Sequence, residues 1–361
     1  MSAAPTSLAS TAQGPLVGLR VLECGGIGPG PHAVRLLADL GAEVLRVERN
    51  REGLVDPSAD HGRAVMTLDL QSEGGRTQFL TIAGKVDVLV EGFRPGVMER
   101  LGLGPEVVTR RRPDLIYARM TGWGQKGPLA QLAGHDINYL AVTGALSAMG
   151  DADRPPPPPL NFVGDYGGGS MFLVTGILAA LIERTRSGKG QIIDAAIVDG
   201  VSTMMGVVGP SGILSPGQRM VSGDAPFYHC YRCFDGKDIA VGAIEPQFYA
   251  AFVKGIDAPH LADRQYDSLL WPERIAAIAA IMAGKTRDAW IDLFEGTDAC
   301  VAPVLSFEEA AVHPHIQARG NYDGEGKRRI AAPAPRFSRT PGATRPNEAP
   351  ADLLRRWDLK G

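Results

Sequence analysis

The run Leu19-Arg20-Val21-Leu22-Glu23 leads into Gly25-Gly26-Ile27-Gly28-Pro29-Gly30-Pro31, and Glu43-Val44-Leu45-Arg46-Val47 follows soon after. The first run is short, apolar and bounded by turn formers, which predicts a buried strand. Ala33, Leu36, Leu37 and Leu40 then recur on one helical face until Gly41 ends the helix. The third run is a second strand. Strand, helix and strand in so few residues form a β-α-β unit, and its crossover argues for a parallel sheet.

The alternation continues outward. Val65 to Leu68, Val86 to Val90 and Leu115 to Met120 read as strands, and Gly74 to Ala83 as a helix between them. Residues 14–205 are therefore expected to form a large α/β domain with a Rossmann-like, doubly wound parallel sheet. Gly28-Pro29-Gly30-Pro31-His32-Ala33 has the spacing of a dinucleotide fingerprint, but two prolines remove N–H groups that a pyrophosphate cradle would use. The glycine turn is better read as bringing backbone close to some other ligand.

Pro155 to Pro159 predicts a stiff extended connector. Gly167-Gly168-Gly169 opens a helix through Arg184 that is apolar nearly all round, so it is expected to be buried. Gln191 to Ile197 reads as a further strand. Residues 206–224, rich in Gly, Pro and Ser, read as a linker. Phe227 to Cys233 and Lys237 to Val241 flank Asp235-Gly236 and predict a hairpin. Helical patterns at Pro246 to Val253, Pro272 to Met282 and Arg287 to Phe294 complete a small α+β domain over 225–306. Residues 307–361 read as a return segment and tail packing on the large domain, with a last helix at Asp352 to Trp357. Residues 1–13, small and polar, read as a disordered tail without the basic start and apolar core of a signal peptide.

At 44% hydrophobic and 21% charged residues, the chain can bury a substantial core. Its net charge of −3 supplies no basic field for nucleic acid. The most apolar helix candidate, Ser170 to Ile182, is too short to span a bilayer. Cys24, Cys230, Cys233 and Cys300 make no disulfide framework in so long a chain, which points to a reducing cytoplasm. Cys230 and Cys233 fall on a predicted strand, where positions three apart face opposite ways, so no metal site is expected there. His313-Pro314-His315 lacks acidic neighbours and reads as surface.

Gly134-His135-Asp136-Ile137-Asn138-Tyr139 is the candidate site. It follows a run of turn formers, and Ile137, Leu140, Ala141, Gly144 and Ala145 begin an apolar helical stripe. His135 and Asp136 then sit at a helix N-terminus, where free N–H groups favour negative charge. His135 and Tyr139, four apart, are expected to share the face opposite that stripe. Either a base lies beside an anion-stabilising backbone, or Asp136 caps the helix and His135 is surface. Asp165, within Asn161 to Gly169, reads as a helix-entry cap or as a carboxyl group in a dry pocket that exchanges protons. Glu245, within Gly242 to Tyr249, reads as a cap or as a partner orienting a histidine.

Six segments together carry a resemblance. They are Ile27 to His32, Arg94-Pro95-Gly96-Val97, Tyr117 to Gly124, Gly134 to Tyr139, Asn161 to Gly169 and Gly242 to Tyr249. The chain resembles the family III CoA-transferase superfamily from about Gly14 to Ser338. The His-Asp pair, Val-Gly-Asp before three glycines and Ala-Ile-Glu-Pro resemble its racemase branch. That resemblance implies an isomerase acting on 2-methylacyl-CoA thioesters without a metal or redox cofactor. It makes His135 and Asp165 the two bases and gives Glu245 the role of orienting His135. The backbone N–H of Asp136 would donate to the thioester oxygen. It also implies a CoA-binding surface of Ile27, Arg49, Leu68, Asp69, Leu70, Gln71, Gly92, Phe93, Arg94, Arg100, Gly134, Ile137, Asn138 and Tyr139. Gln71 stands where relatives often carry a lysine, and residues 203–223 would touch the acyl chain. An interlocked homodimer is implied, with Glu245 acting in either subunit. The rival expectations are a CoA-transferase using Asp136 as a covalent nucleophile, a non-catalytic acyl-CoA-binding paralogue and, more distantly, a nicotinamide oxidoreductase.

Overall fold

Val21, Leu22, Val44 and Leu45 are excluded from water, which is what a sheet covered on both faces demands of its strands. In the computed structural model, which describes residues 13–49, 61–150, 154–209, 219–324 and 329–359, they lie in two adjacent parallel strands. The strands are β1 (Arg20–Cys24), β2 (Glu43–Glu48), β3 (Ala64–Thr67), β4 (Val88–Glu91), β5 (Ile116–Thr121) and β6 (Ile192–Ala196). Their order in the sheet is β3-β2-β1-β4-β5-β6, and every neighbouring pair is parallel. The strand order reverses between β1 and β4. Ligands of open α/β sheets bind outside the carboxyl ends of the strands at such a point.

The helices of this part are α1 (Pro29–Asp39), α2 (Glu73–Ala83), α3 (Val97–Arg100), α4 (Pro105–Arg111) and α5 (Asp136–Val142). Then come the short α6 (Ala145–Met149), a π-helix (Phe162–Met171), α7 (Phe172–Ser187) and α8 (Ile197–Val208). One core holds Leu22, Leu45 and Leu89 of the sheet with Phe79 and Ile82 of α2. Val108 of α4 and Leu353, Leu354 and Trp357 belong to the same core. The last three come from the end of the chain, at α14 (Pro350–Arg356), which packs on β2 and β3. Trp357 Nε1 also donates to Glu43 at 2.8 Å. Helices α1 and α7 pack together, and α7 also contacts β5 and β6.

The chain forms two compact units. The first holds residues 1–143, 159–204 and 323–361, and the second 144–158 and 205–322. This differs from the boundaries read from sequence. Residues 144–158 belong to the second unit because Arg219 donates to the Gly150 carbonyl and Ser222 Oγ to that of Ala148. Residues 307–322 belong there as well. Glu309 pairs with Arg287 at 2.9 Å, which ties that segment to its neighbours.

The second unit is built on β7 (Tyr228–Arg232), β8 (Asp238–Gly242) and β9 (Val301–Pro303), paired antiparallel in that order. Gly236 at the hairpin turn has φ +75°. Around the sheet lie α9 (Pro246–Gly255), α10 (Trp271–Met282), α11 (Arg287–Phe294), α12 (Phe307–Val312) and α13 (Pro314–Ala318). Phe227, Tyr231, Tyr249, Phe252, Trp271, Trp290 and Phe294 form its aromatic core. Cys230 is exposed and Cys233 buried, and no group of three or more His, Cys, Asp or Glu residues among the described residues could hold a metal ion.

Three sequence expectations are corrected here. The stretch after Gly167 is not fully buried: Leu173, Ile177 and Ala180 are, while Met171 and Ile182 are exposed. The helix also begins earlier, as a π-helix at Phe162. Ile197, read as the end of a strand, and residues 206–208, read as linker, belong to α8 (Ile197–Val208) instead. Residues 1–12 of the expected tail, 210–218 of the expected linker, and 360 and 361 at the end lie outside the described residues.

Candidate active site

Every parallel strand delivers its following loop to the same edge of the sheet. Ile27 follows β1, Arg49 follows β2, Leu68 to Gln71 follow β3, and Gly92 to Arg94 follow β4. Gly134 to Tyr139 follow β5 at the end of its loop. The topology thus gathers residues far apart in sequence, as the switch-point rule expects.

Buried ion pairs hold these loops. Glu23, at the end of β1, accepts from Arg63 Nε at 2.6 Å and from Arg46 Nη1 at 2.9 Å. Arg46 Nη2 donates onward to the Gly26 carbonyl at 3.0 Å, and Arg63 Nη2 to that of Pro31. The glycine turn is therefore pinned from below. Glu91, at the end of β4, accepts from Arg119 at 2.8 Å and from the Phe93 N–H at 2.7 Å. Arg119 also pairs with Glu99 at 2.7 Å. Burial pushes the Glu91 carboxyl up, against the Phe93 N–H and Arg119 that pull it down. Arg49, Arg94 and Arg100 are exposed, and their side chains have no hydrogen-bond or ion-pair partner among the described residues. They are cations left available to an anionic ligand. Ile27 and Gly92 are exposed; Phe93 and Leu70 are half-buried. Leu68 is buried in the core. Asp69 Oδ1 accepts from the Gln71 N–H at 3.0 Å, so the exposed Asp69 and Gln71 share a turn.

His135 is the N-cap of α5, with an extended backbone at φ −131°. Its N–H donates to Asn138 Oδ1 at 3.0 Å, and its carbonyl accepts from the Asn138 N–H at 2.8 Å. The imidazole itself is exposed. The N–H groups of Asp136 and Ile137 have no acceptor among the described residues, as the first turn of a helix dictates. The expected stripe is wrong in detail. Asp136, Tyr139 and Leu140 are the buried positions of α5, while Ile137 and Ala141 are exposed. Tyr139 turns inward because its hydroxyl donates to the Gly134 carbonyl and its ring meets Trp123 edge-on at 4.7 Å. Burial pushes its phenol up to about 12.

Asp165 comes from the first turn of the π-helix, where the Tyr166 N–H reaches back five residues to the Asn161 carbonyl. Wide turns of this kind gather at functional sites. Ser170 Oγ ties the π-helix to the Pro29 carbonyl at 2.7 Å, and His32 lies 4.5 Å from the Tyr166 ring. The glycine turn after β1 is thus packed against the segment bearing Asp165. A Cβ on Gly28 would sit 3.5 Å from Asp165 Oδ2. Burial pushes the Asp165 carboxyl up; Asn161 opposes this, the Asp136 charge adds to it, and His135 pulls it down. His135 and Asp165 are therefore within electrostatic reach of each other.

Asp136 is not a helix cap. It is 9% exposed, and its Oδ1 accepts the Asp165 N–H at 2.7 Å. The Gly164 N–H also bonds to it, and burial outweighs both in pushing the carboxyl up. Asn161, whose Nδ2 reaches Asp165 Oδ2 at 3.4 Å, was not singled out from sequence. Its spacing of four before an acid was the available signal. Glu245, in the second unit, is the N-cap of α9, but its side chain makes no cap bond and is exposed.

The family described as CoA-transferase family III matches residues 16–352. A mouse alpha-methylacyl-CoA racemase is 45% identical over 335 residues, covering 90% of this chain and 87% of that one. The human alpha-methylacyl-CoA racemase is 43% identical over 333 residues, with the same coverage. A crystal structure of a CaiB/BaiF family protein from Brucella suis superposes with a TM-score of 0.79 at 26% identity. It covers 96% of this chain and 100% of its own.

Proposed function

The chain belongs to CoA-transferase family III, and on that premise we propose that it interconverts the (2R) and (2S) epimers of 2-methylacyl-CoA thioesters. The observation that carries the reading is the placing of His135 and Asp165 within electrostatic reach, beside free N–H groups at the start of α5. The hydrogen on C2 of a thioester is weakly acidic because its removal gives an enolate. One of the two groups takes that proton while the other, protonated, returns one to the opposite face; in the reverse direction the roles exchange. The pair needs environments that hold one group protonated while the other is not, and burial of Asp165 beside the Asp136 charge supports this. Charge on the thioester oxygen grows as the proton leaves, and the Asp136 N–H would donate to it.

A transferase would need the Asp136 carboxylate as a nucleophile. Here that carboxylate accepts the Asp165 N–H at 2.7 Å through Oδ1. Arg49, Arg94 and Arg100 would meet the CoA phosphates, and Glu245 would orient the His135 imidazole. That carboxylate would come from the same chain or from the second subunit of a homodimer. The reaction needs no redox or metal group, so activity is expected to survive chelation. Four free thiols support a reducing, cytoplasmic setting.

The test is NMR of one pure 2-methylacyl-CoA epimer in D₂O. The native protein is expected to place deuterium at C2 and form the other epimer. His135→Ala and Asp165→Ala are each expected to lose the interconversion. Full interconversion by either variant would remove the residue assignment. Transfer of CoA to a free acid, with no exchange at C2, would establish a transferase instead.

A further inference from the structure

The two proposed bases arrive from different elements, and something must set the distance between them. His135 caps α5, and Asp165 lies in the π-helix, 30 residues along the chain. Among the described residues, the hydrogen bond that ties α5 directly to Asp165 runs through Asp136, the residue bonded to His135. Its Oδ1 takes the Asp165 N–H at 2.7 Å, and the Gly164 N–H reaches the same carboxylate. A Cβ on Gly164 would lie 2.2 Å from that oxygen, so residue 164 must be glycine for the carboxylate to come so close. Charge-assisted bonds to backbone N–H groups are short and directional.

We infer that the side chain of Asp136 is a positioning residue, one carboxylate that fixes the spacing of His135 and Asp165. This goes beyond the backbone role of Asp136 in holding the thioester oxygen, and its kinetic part rests on the racemase reading. The same charge has a second effect. It lies beside Asp165 and favours the protonated form of that carboxyl group. The groups that act on Asp165 are Asn161, Asp136 and His135, and Asp165 in turn acts on Tyr139. Of these, Asp136 is the one that pushes Asp165 toward protonation.

The experiment compares native protein, Asp136→Ala and Asp136→Asn in two assays. One is epimerisation across pH, and the other is amide hydrogen exchange by mass spectrometry over 161–171. Alanine removes the acceptor. Amide protection in that segment is expected to fall, and kcat about a hundredfold, the penalty for displacing a reacting group by about 1 Å. KM should stay within about twofold. Asparagine keeps an acceptor oxygen without the charge. Protection should persist, kcat should fall tenfold or less, and the Asp165 limb of the pH profile should move to lower pH. Native kcat or intact protection in Asp136→Ala would overturn the inference. So would an Asp136→Asn variant as inactive as Asp136→Ala, the result expected of a covalent nucleophile. If native protein itself fails to epimerise, the racemase reading falls, while amide protection still decides whether Asp136 holds the segment.

Discussion

Gly200→Ala is the substitution whose consequence follows most directly from geometry. Gly200 lies on α8, where a Cβ would stand 2.0 Å from the Gly168 carbonyl oxygen, 2.7 Å from its carbon and 2.8 Å from its Cα. All three atoms are backbone, so no side chain can rotate away. Reaching an ordinary 3.4 Å contact from 2.0 Å demands a displacement of about 1.4 Å. The π-helix cannot slide freely, because Ser170 holds Pro29 and Asp136 holds the Asp165 N–H. Strain and displacement must share the outcome. Overpacking of this kind destabilises by about 1–3 kcal/mol, or about 2–4 °C in Tm for each kcal/mol in a unit this large. Asp165 lies three residues before Gly168, so part of the displacement is passed to its carboxyl group. A shift of about 1 Å lowers kcat about a hundredfold. Melting curves and epimerisation kinetics read both effects. Gly206→Ala on the same helix meets nothing within 4 Å and serves as the control, expected to be neutral or slightly stabilising. Native kcat and Tm in Gly200→Ala would refute the close crossing of α8 and the π-helix.

Three further outcomes are expected. Burial holds Asp165 above the ordinary carboxylate range, so its stabilising contribution is complete below its unfolded pKa of about 3.9 and is lost as pH rises through the folded value. The stability of Asp165→Asn relative to native, followed by denaturant titration, should therefore rise from pH 4 to pH 7; a constant difference would contradict the burial. Tyr139→Phe loses the bond to the Gly134 carbonyl, with about 1 kcal/mol of stability and less than tenfold in kcat; a shift in CoA affinity alone would instead make Tyr139 a ligand contact. Arg94→Ala should raise KM for the CoA thioester about tenfold with kcat nearly unchanged. That penalty should shrink with added salt, as screening of an exposed cation requires.

The parallel sheet was legible because its strands are locally apolar and separated by helical patterns; Leu19 to Val47 sufficed to require a crossover. The order of the strands was not, since it rests on pairings such as Val21 with Val88, far apart in the chain. Charged residues inside strands hid the loop supports. Glu23 and Arg119 fall in runs read only as strands and Glu91 just past one, yet each is buried and paired. Helix α8 was missed because Ile197, Val198 and Val201 are β-branched and a glycine interrupts them, while packing on the π-helix overrides that preference. The π-helix itself has no local signature beyond its glycines. His135 at a helix start was readable from the turn formers before it. The inward turn of Tyr139 was not, because Trp123 and the Gly134 carbonyl decide it.

The central claim is that two groups act on one carbon from opposite faces. Each pure epimer can be incubated in D₂O with His135→Asn and, separately, with Asp165→Asn, and wash-out of the C2 hydrogen followed before any inversion. Any exchange that survives in one variant should be confined to one epimer, and in the other variant to the opposite epimer. Exchange of both epimers by a single variant, or of the same epimer by both, would contradict the two-base account.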